Sequence, residues 1–393
     1  MIPQGLSFAR RFDGITGSAI REIFKVASQP GIISFAGGNP SAEALPDAQC
    51  AEIAGDVLRQ DGKRILQYGA TEGYPPFLDS LQSYVSQLLG LNVSKETLLP
   101  ITGSTQGMHL LCAAFLNPGD TVLVESPTFL GNMQIIRLAE GRLIPVESDG
   151  QGILPDMLER AVLAHRPKML YTIPTFQNPS GLTMEARRRE AIAQLAEKHG
   201  FLVVEDDPYR DLRYEGDPLP PIKSFDRSGH VAYMGSFSKI ISPGLRVGYL
   251  AAQEDILRKC VIGKQSADLH TPALTQAIVD QYLRRGILAP HIQAILPGYR
   301  EKMNRMLEAL SAFPSGFCHT YPEGGLFIFV TMPAEFDAVA LLKDAVERGV
   351  AYVPGSYFFP DGGHFNTLRL NFSNSTPRQI SEGMEKLRTL FAR

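Results

Sequence analysis

Cysteine is scarce in this chain. Its 393 residues hold four, Cys50, Cys112, Cys260 and Cys318, with no CxxC pair and no Cys/His cluster. Such spacing excludes the thiolate clusters that hold zinc and the frameworks that staple small secreted domains, so neither a metal site nor a disulfide scaffold is expected. Cys112 lies in the run Leu110-Leu111-Cys112-Ala113-Ala114 and reads as a buried thiol. Long hydrophobic runs are also missing, so no segment is expected to span a bilayer. The start, Met1-Ile2-Pro3-Gln4-Gly5, lacks the basic region and apolar stretch of a secretion signal. A cytoplasmic location without a membrane partner is the resulting expectation. Charge of one sign is lacking too: 38 Lys and Arg against 41 Asp and Glu give a net charge of -3, which argues against a nucleic-acid partner. No internal repeat, low-complexity tract or long charged linker interrupts the chain.

What is present is ordinary for a soluble globular protein, with 44% hydrophobic and 20% charged residues. The length exceeds what one core usually supports, so two domains are expected. From about residue 46, helical patterns near 48–61, 75–90, 105–116, 128–140, 155–164 and 184–199 alternate with short apolar runs at 98–102, 121–124, 143–146, 169–172, 201–204, 231–234 and 246–250. Several runs are apolar on both alternations. This predicts an α/β fold with a mostly parallel sheet sandwiched by helices. After about 270 the chain predicts a long helical region, strands near 325–330, 350–353 and 367–372, and helices near 336–348 and 377–392, as in a smaller α+β domain. The expected division is 1–45 as an N-terminal segment packing with the small domain, 46–285 as the large domain and 286–393 as the small one.

Ligands of open α/β sheets bind beyond the carboxyl ends of strands, so chemistry is sought just after each apolar run. Gly235-Ser236-Phe237-Ser238-Lys239 follows the run at 231–234 and continues to Pro243-Gly244-Leu245-Arg246. A lysine there, in apolar surroundings, can have a lowered pKa and form an imine with an aldehyde. Ser236, Ser238 and Arg246 offer hydroxyls and a guanidinium fork to a phosphate. The plain alternative is a surface lysine in a Ser-rich turn. The run at 201–204 leads into Glu205-Asp206-Asp207-Pro208-Tyr209. Acids at a strand end can cap a helix or bind a metal; beside a pyridine ring, a buried Asp can keep the ring nitrogen protonated.

Pro174-Thr175-Phe176-Gln177-Asn178-Pro179-Ser180-Gly181 reads as a turn, yet it holds the Asn178 amide between two prolines. Thr102-Gly103-Ser104-Thr105-Gln106-Gly107-Met108 joins a strand to a helix, where free N–H groups and the helix dipole favour an anion. Ser104 reads equally well as a helix cap. In Leu368-Arg369-Leu370-Asn371-Phe372 the alternation partners of Arg369 are the polar Thr367 and Asn371. That face can line a cleft, where the Arg would grip a carboxylate in a bidentate pair.

Taken in chain order, from the turn at 102–108 through 174–181, 201–209 and 235–246 to 368–372, the five segments resemble the pyridoxal-phosphate (PLP)-dependent aminotransferases of fold type I, class I/II, along essentially the whole chain. Within them, the chain is most similar to the subgroup with 2-aminoadipate (kynurenine) aminotransferases and the valine-pyruvate-like enzymes. The resemblance implies Lys239 as the lysine that holds PLP through a Schiff base and then shuttles a proton. It implies Asp206 at the pyridine nitrogen, Asn178 and Tyr209 at the ring hydroxyl, and Ser104, Thr105, Ser236 and Arg246 at the phosphate. Phe129 matches the aromatic that stacks on the ring, where many relatives carry Tyr. Tyr68 matches a residue that reaches the phosphate of the other subunit, which implies a homodimer with the site at its interface. Arg369 matches the α-carboxylate binder, Gly38 and Asn39 lie along the substrate, and Arg21 can meet a distal carboxylate or remain a solvated helix charge.

The implied activity is transfer of an amino group from an L-amino acid to a 2-oxo acid, 2-oxoglutarate being the expected acceptor, by ping-pong kinetics. The rivals are a PLP lyase, decarboxylase or racemase on the same fold and, more remotely, a ligand-sensing regulator. The regulator would need a basic DNA-binding domain before the fold, for which the sequence shows no segment.

Overall fold

The computed structural model describes residues 29–392 and, before them, positions 3, 6–13, 15 and 23. In chain order the first strands are β1 (Ile33–Ser34), β2 (Leu98–Ile101), β3 (Thr121–Glu125), β4 (Arg142–Val146), β5 (Ser148–Asp149), β6 (Gly152–Ile153) and β7 (Met169–Thr172). There follow β8 (Leu202–Asp206), β9 (Val231–Ser236), β10 (Gly248–Ala251), β11 (Cys318–His319), β12 (Phe327–Thr331), β13 (Val350–Ala351), β14 (Val353–Pro354) and β15 (Thr367–Asn371).

Seven strands form the main sheet in the order β2-β10-β9-β8-β7-β3-β4. Strands β9, β8, β7, β3 and β4 pair in parallel. Strand β10 runs antiparallel to both its neighbours. Every residue of β3, β7 and β8 is buried, as continuous apolar runs covered on both faces require. Side chains such as Val122, Leu170 and Val203 are fully excluded from water, each contributing about 1.5–3 kcal/mol of transfer free energy. A second, antiparallel sheet follows the order β11-β12-β15-β14, and β1 pairs in parallel with β13.

The helices begin where local chemistry allows. Pro75 opens the helix Pro75–Leu89, where its missing N–H costs no hydrogen bond. Thr376 and Gln379 form a reciprocal capping box on the final helix, Pro377–Phe391. The helix Leu288–Leu310 serves two cores: Leu288 and Tyr299 pack with the main sheet, and Met303, Met306 and Leu310 with the second one. Ile33 and Phe35, from the N-terminal segment, also lie in the second core.

Two expectations are corrected. The strand anticipated at 246–250 begins only at Gly248, because Arg246 adopts the left-handed conformation with φ 52°. The single long helical region after 270 is two helices, Ala273–Arg284 and Leu288–Leu310. Among the described residues no helix is long and apolar enough to cross a membrane, and no group of His, Cys, Asp and Glu is placed to hold a metal.

Candidate active site

The carboxyl ends of the parallel strands share one edge of the main sheet, and four of the five chemistry-bearing segments emerge there. β2 runs into Thr102-Gly103-Ser104, β7 into the Asn178 loop, β8 ends on Asp206, and β9 ends on Ser236, three residues before Lys239. Strand β10 enters the sheet from that same edge because it is reversed, which brings Arg246 to it as well. The fifth segment, β15, comes from the second sheet and adds Arg369.

The three consecutive carboxylates after β8 are separated by their partners. Glu205 accepts the backbone N–H groups of Ile222 and Lys223, each at 2.8 Å. Asp207 accepts from Arg210 at 3.3 Å and from the Tyr233 hydroxyl at 3.2 Å. Asp206 is buried, and its Oδ2 accepts from the Tyr171 hydroxyl at 2.9 Å and from Asn132 Nδ2 at 3.3 Å. Its Oδ1 has no partner among the described residues. Burial lifts the Asp206 pKa to about 7, assisted by the charge of Asp207 and opposed by Tyr171, Asn132 and Lys239.

Lys239 donates from Nζ to the Gly38 carbonyl at 2.9 Å. Desolvation, and then the charges of Arg246 and Arg369, bring its pKa down to about 8 against the opposing pull of Asp206. An amine so tuned is a competent nucleophile and base near neutrality.

Arg369 is buried, with its guanidinium 4.4 Å from the centre of the Phe327 ring and 5.0 Å from that of Phe358. It donates to Asn178 Oδ1 at 2.8 Å and to the Ala36 carbonyl at 2.7 Å, while its Nε has no partner among the described residues. Burial lowers its pKa to about 10. The Asn178 amide in turn donates to the Tyr209 hydroxyl at 3.4 Å.

The turn after β2 is shaped by a glycine. Gly103 has φ +80°, and a Cβ there would stand 2.4 Å from Arg246 Nη2. Only glycine lets that guanidinium lie over the turn at the start of the helix Ser104–Phe115, to which Ser104 and Thr105 contribute the first residues. Arg246 is exposed and donates to the Thr102 carbonyl at 3.2 Å. The Ser236 hydroxyl accepts the Ser238 N–H at 3.2 Å.

The remaining expected residues fall as follows. Phe129 immediately precedes the helix Leu130–Leu138 and is half-buried. Asn39 is exposed and its carbonyl accepts from the Ser373 hydroxyl at 2.6 Å. Tyr68 is 81% exposed and meets His270 edge-on. Arg21 lies outside the described residues. Tyr171 and Asn132, the two groups holding Asp206, are absent from the sequence-based expectation. The one signal for them was a phenol inside the otherwise apolar run Met169-Leu170-Tyr171-Thr172.

An aldehyde-bearing pyridine phosphate needs an amine, an acid for its ring nitrogen and an anion cup. These residues fit it: Lys239 is the amine, the orphaned Oδ1 of Asp206 is a buried acceptor awaiting a donor, and the Gly103 turn under Arg246 is the cup. Comparison with known proteins agrees. The sequence profile of the family described as aminotransferase class I and II matches residues 30–387. The chain is 40% identical over 385 residues to the 2-aminoadipate transaminase of Thermus thermophilus, covering 97% of this chain and 95% of that one. It is 39% identical over 386 residues to aromatic-amino-acid aminotransferase 1 of Thermococcus litoralis, covering 97% and 93%. The crystal structure of a multiple substrate aminotransferase from Thermococcus profundus superposes with a TM-score of 0.94 at 39% identity, over 98% and 97% of the two chains. Sheet, site and relatives therefore agree, and this chain belongs to the class I and II aminotransferases, PLP-dependent enzymes of fold type I that move amino groups between amino acids and 2-oxo acids by ping-pong kinetics.

Proposed function

We propose that Lys239, Asp206, Asn178, Tyr209 and Arg369 form the reacting end of the site, and Ser104, Thr105, Ser236 and Arg246 its phosphate end. PLP, when bound, supplies an aldehyde carbon for the amino group and a ring that accepts electron density from the substrate α-carbon. Lys239 would hold PLP through its Nζ and would take and return the substrate α-proton. Its lowered pKa supports this role. Asp206 holds the proton on the ring nitrogen, with Tyr171 and Asn132 fixing the orientation of its carboxylate. Asn178 and Tyr209 hold the ring hydroxyl. Phe129 would pack on the cofactor, and Gly38 and Asn39 would border the substrate. Arg369 grips the α-carboxylate and so sets which α-carbon bond is turned toward the electron-accepting ring.

The observation that carries this reading is the Asp206 carboxylate, buried with one oxygen held by two donors and the other without a partner among the described residues. For substrates the reading is an L-amino acid donor with 2-oxoglutarate as acceptor. The similarity to an aromatic-amino-acid aminotransferase and to a 2-aminoadipate transaminase supports a donor with a large or acidic side chain. Arg21 is assigned to a distal carboxylate. Tyr68 is assigned to the phosphate of a partner subunit in a homodimer, a role that suits its exposure.

The test is the absorbance spectrum of the full-length protein supplied with PLP, taken alone and after single amino acids. The expected result is a long-wavelength cofactor band, absent from Lys239→Ala, that a donor amino acid bleaches with one equivalent of 2-oxo acid released. A Lys239→Ala variant with the same band would show that another group bonds the aldehyde.

A further inference from the structure

Lys264 is the cation most completely removed from solvent beside the phosphate end, with 0% of its side chain exposed. It lies on the helix Glu254–Ala267, away from the reacting residues, and nothing in the chemistry above uses it. Its Nζ donates to Gln106 Oε1 at 2.7 Å, to the two Asp268 oxygens at 3.0 and 3.1 Å, and to Thr271 Oγ1 at 3.0 Å. Burial lowers the Lys264 pKa, and Asp268 opposes that fall.

All these acceptors converge on one residue. Gln106 Oε1 also accepts the Thr102 N–H at 2.8 Å. Asp268 Oδ2 accepts the Thr102 hydroxyl at 2.7 Å, and Thr271 Oγ1 lies 3.2 Å from that hydroxyl. The Thr102 carbonyl accepts from Arg246. Every polar atom of Thr102 is therefore held, and Thr102 joins the end of β2 to Gly103, the glycine beneath Arg246. A surface lysine would gain little from one such ion pair. A buried one left without its partners is strongly destabilising, so the arrangement has little freedom to relax.

We propose that Lys264, with Asp268, is a positioning residue for the phosphate end: it locks Thr102 and thereby the Gly103–Ser104 turn in the shape that receives the anion. This rests on the reading that the turn holds the phosphate. Lys264 touches neither cofactor nor substrate in this role; it acts through Gln106, Asp268 and Thr102.

The experiment compares cofactor-free wild type, Lys264→Met and Thr102→Val, each as the full chain, in titrations with PLP and with pyridoxal, which lacks the phosphate. Both ligands present the same aldehyde to Lys239, so the ratio of their dissociation constants isolates the phosphate end. The expected result is a strong preference for PLP in wild type, reduced by at least about tenfold in each variant, with pyridoxal affinity nearly unchanged. A parallel loss for both ligands would make Lys264 merely structural and overturn the inference, as would an unchanged ratio. Should Lys264→Met fail to fold, Thr102→Val decides alone, since it deletes only the last link of the bracket. A wild type with no preference for PLP would refute the phosphate-end reading itself and this inference with it, a result distinct from a preference that the variants retain.

Discussion

Arg369 donates to Asn178 across 191 residues of sequence, joining the second sheet to the loop that follows β7 with a 2.8 Å hydrogen bond. One amide thus touches both the Arg369 guanidinium and the Tyr209 hydroxyl. Replacing Arg369 by Lys keeps the charge and loses the fork. Arg369→Lys is expected to lower kcat/KM for amino acid and 2-oxo acid alike, by about 1.5–3 kcal/mol or on the order of 10- to 100-fold. Steady-state kinetics with both substrates varied would check it; a loss confined to one substrate would contradict a shared carboxylate site.

Tyr171 lowers the pKa of Asp206 by donating to Oδ2. Tyr171→Phe removes that donor, so the Asp206 pKa rises further. In the proposed role the ionised carboxylate is the working form, so the acid limb of the kcat/KM profile should move to higher pH, with a smaller change at the alkaline plateau. A pH profile of both proteins measures this. An unmoved acid limb would separate Tyr171 from the chemistry.

Glu125, Glu205 and Asp206 are each buried, and burial raises each pKa to about 7. At these three positions the folded chain therefore binds more protons than the unfolded chain between about pH 4 and 7. The stability these groups contribute is complete below their unfolded values near 4 and is lost as pH rises through about 7. The cofactor-free protein should show a Tm contribution that declines across that window. Asp206→Asn should make the decline shallower, and PLP should do the same by pairing a cationic ring nitrogen with the carboxylate. Calorimetry between pH 5 and 8 tests the sign.

Arg189 is fully buried and ties down the segment that carries Asn178. It donates to the Met184 carbonyl at 2.9 Å, to the Pro174 carbonyl at 2.8 Å, to Thr175 Oγ1 at 3.1 Å and to the Pro220 carbonyl at 3.2 Å. Arg189→Ala should cost about 3–5 kcal/mol, because it leaves a cavity and several unpaired acceptors. Denaturant unfolding of the cofactor-free protein reads the loss directly.

The homodimer assignment of Tyr68 can be tested by complementation. Lys239→Ala lacks the amine and Tyr68→Ala lacks the exposed phenol. If Tyr68 serves the partner, co-refolding the two variants should restore one complete site per hybrid dimer and raise activity above either variant alone. No gain over Tyr68→Ala by itself would place Tyr68 in the service of its own chain.

The parallel strands were legible because runs such as Val122-Leu123-Val124 and Leu202-Val203-Val204 are apolar on both alternations, which one-sided strands do not allow. The lysine, the acid and the Asn loop could be found because each directly follows such a run. Arg246 was found for its charge but placed in a strand; it is left-handed just before the reversed strand β10, with its guanidinium against Gly103, a neighbour distant in sequence. Tyr171 and Lys264 escaped because a phenol in a strand and a lysine in a helix each have an ordinary local explanation. Only the fold shows what surrounds them.

The helix Leu288–Leu310 runs through both cores, with Pro297 in its interior lacking an N–H to return to the preceding turn. One rod is thus shared by two cores. Arg369 and Phe327 stand on one sheet and Asn178 on a loop of the other, so the 2.8 Å bond between Arg369 and Asn178 is a second tie between the sheets, independent of that helix.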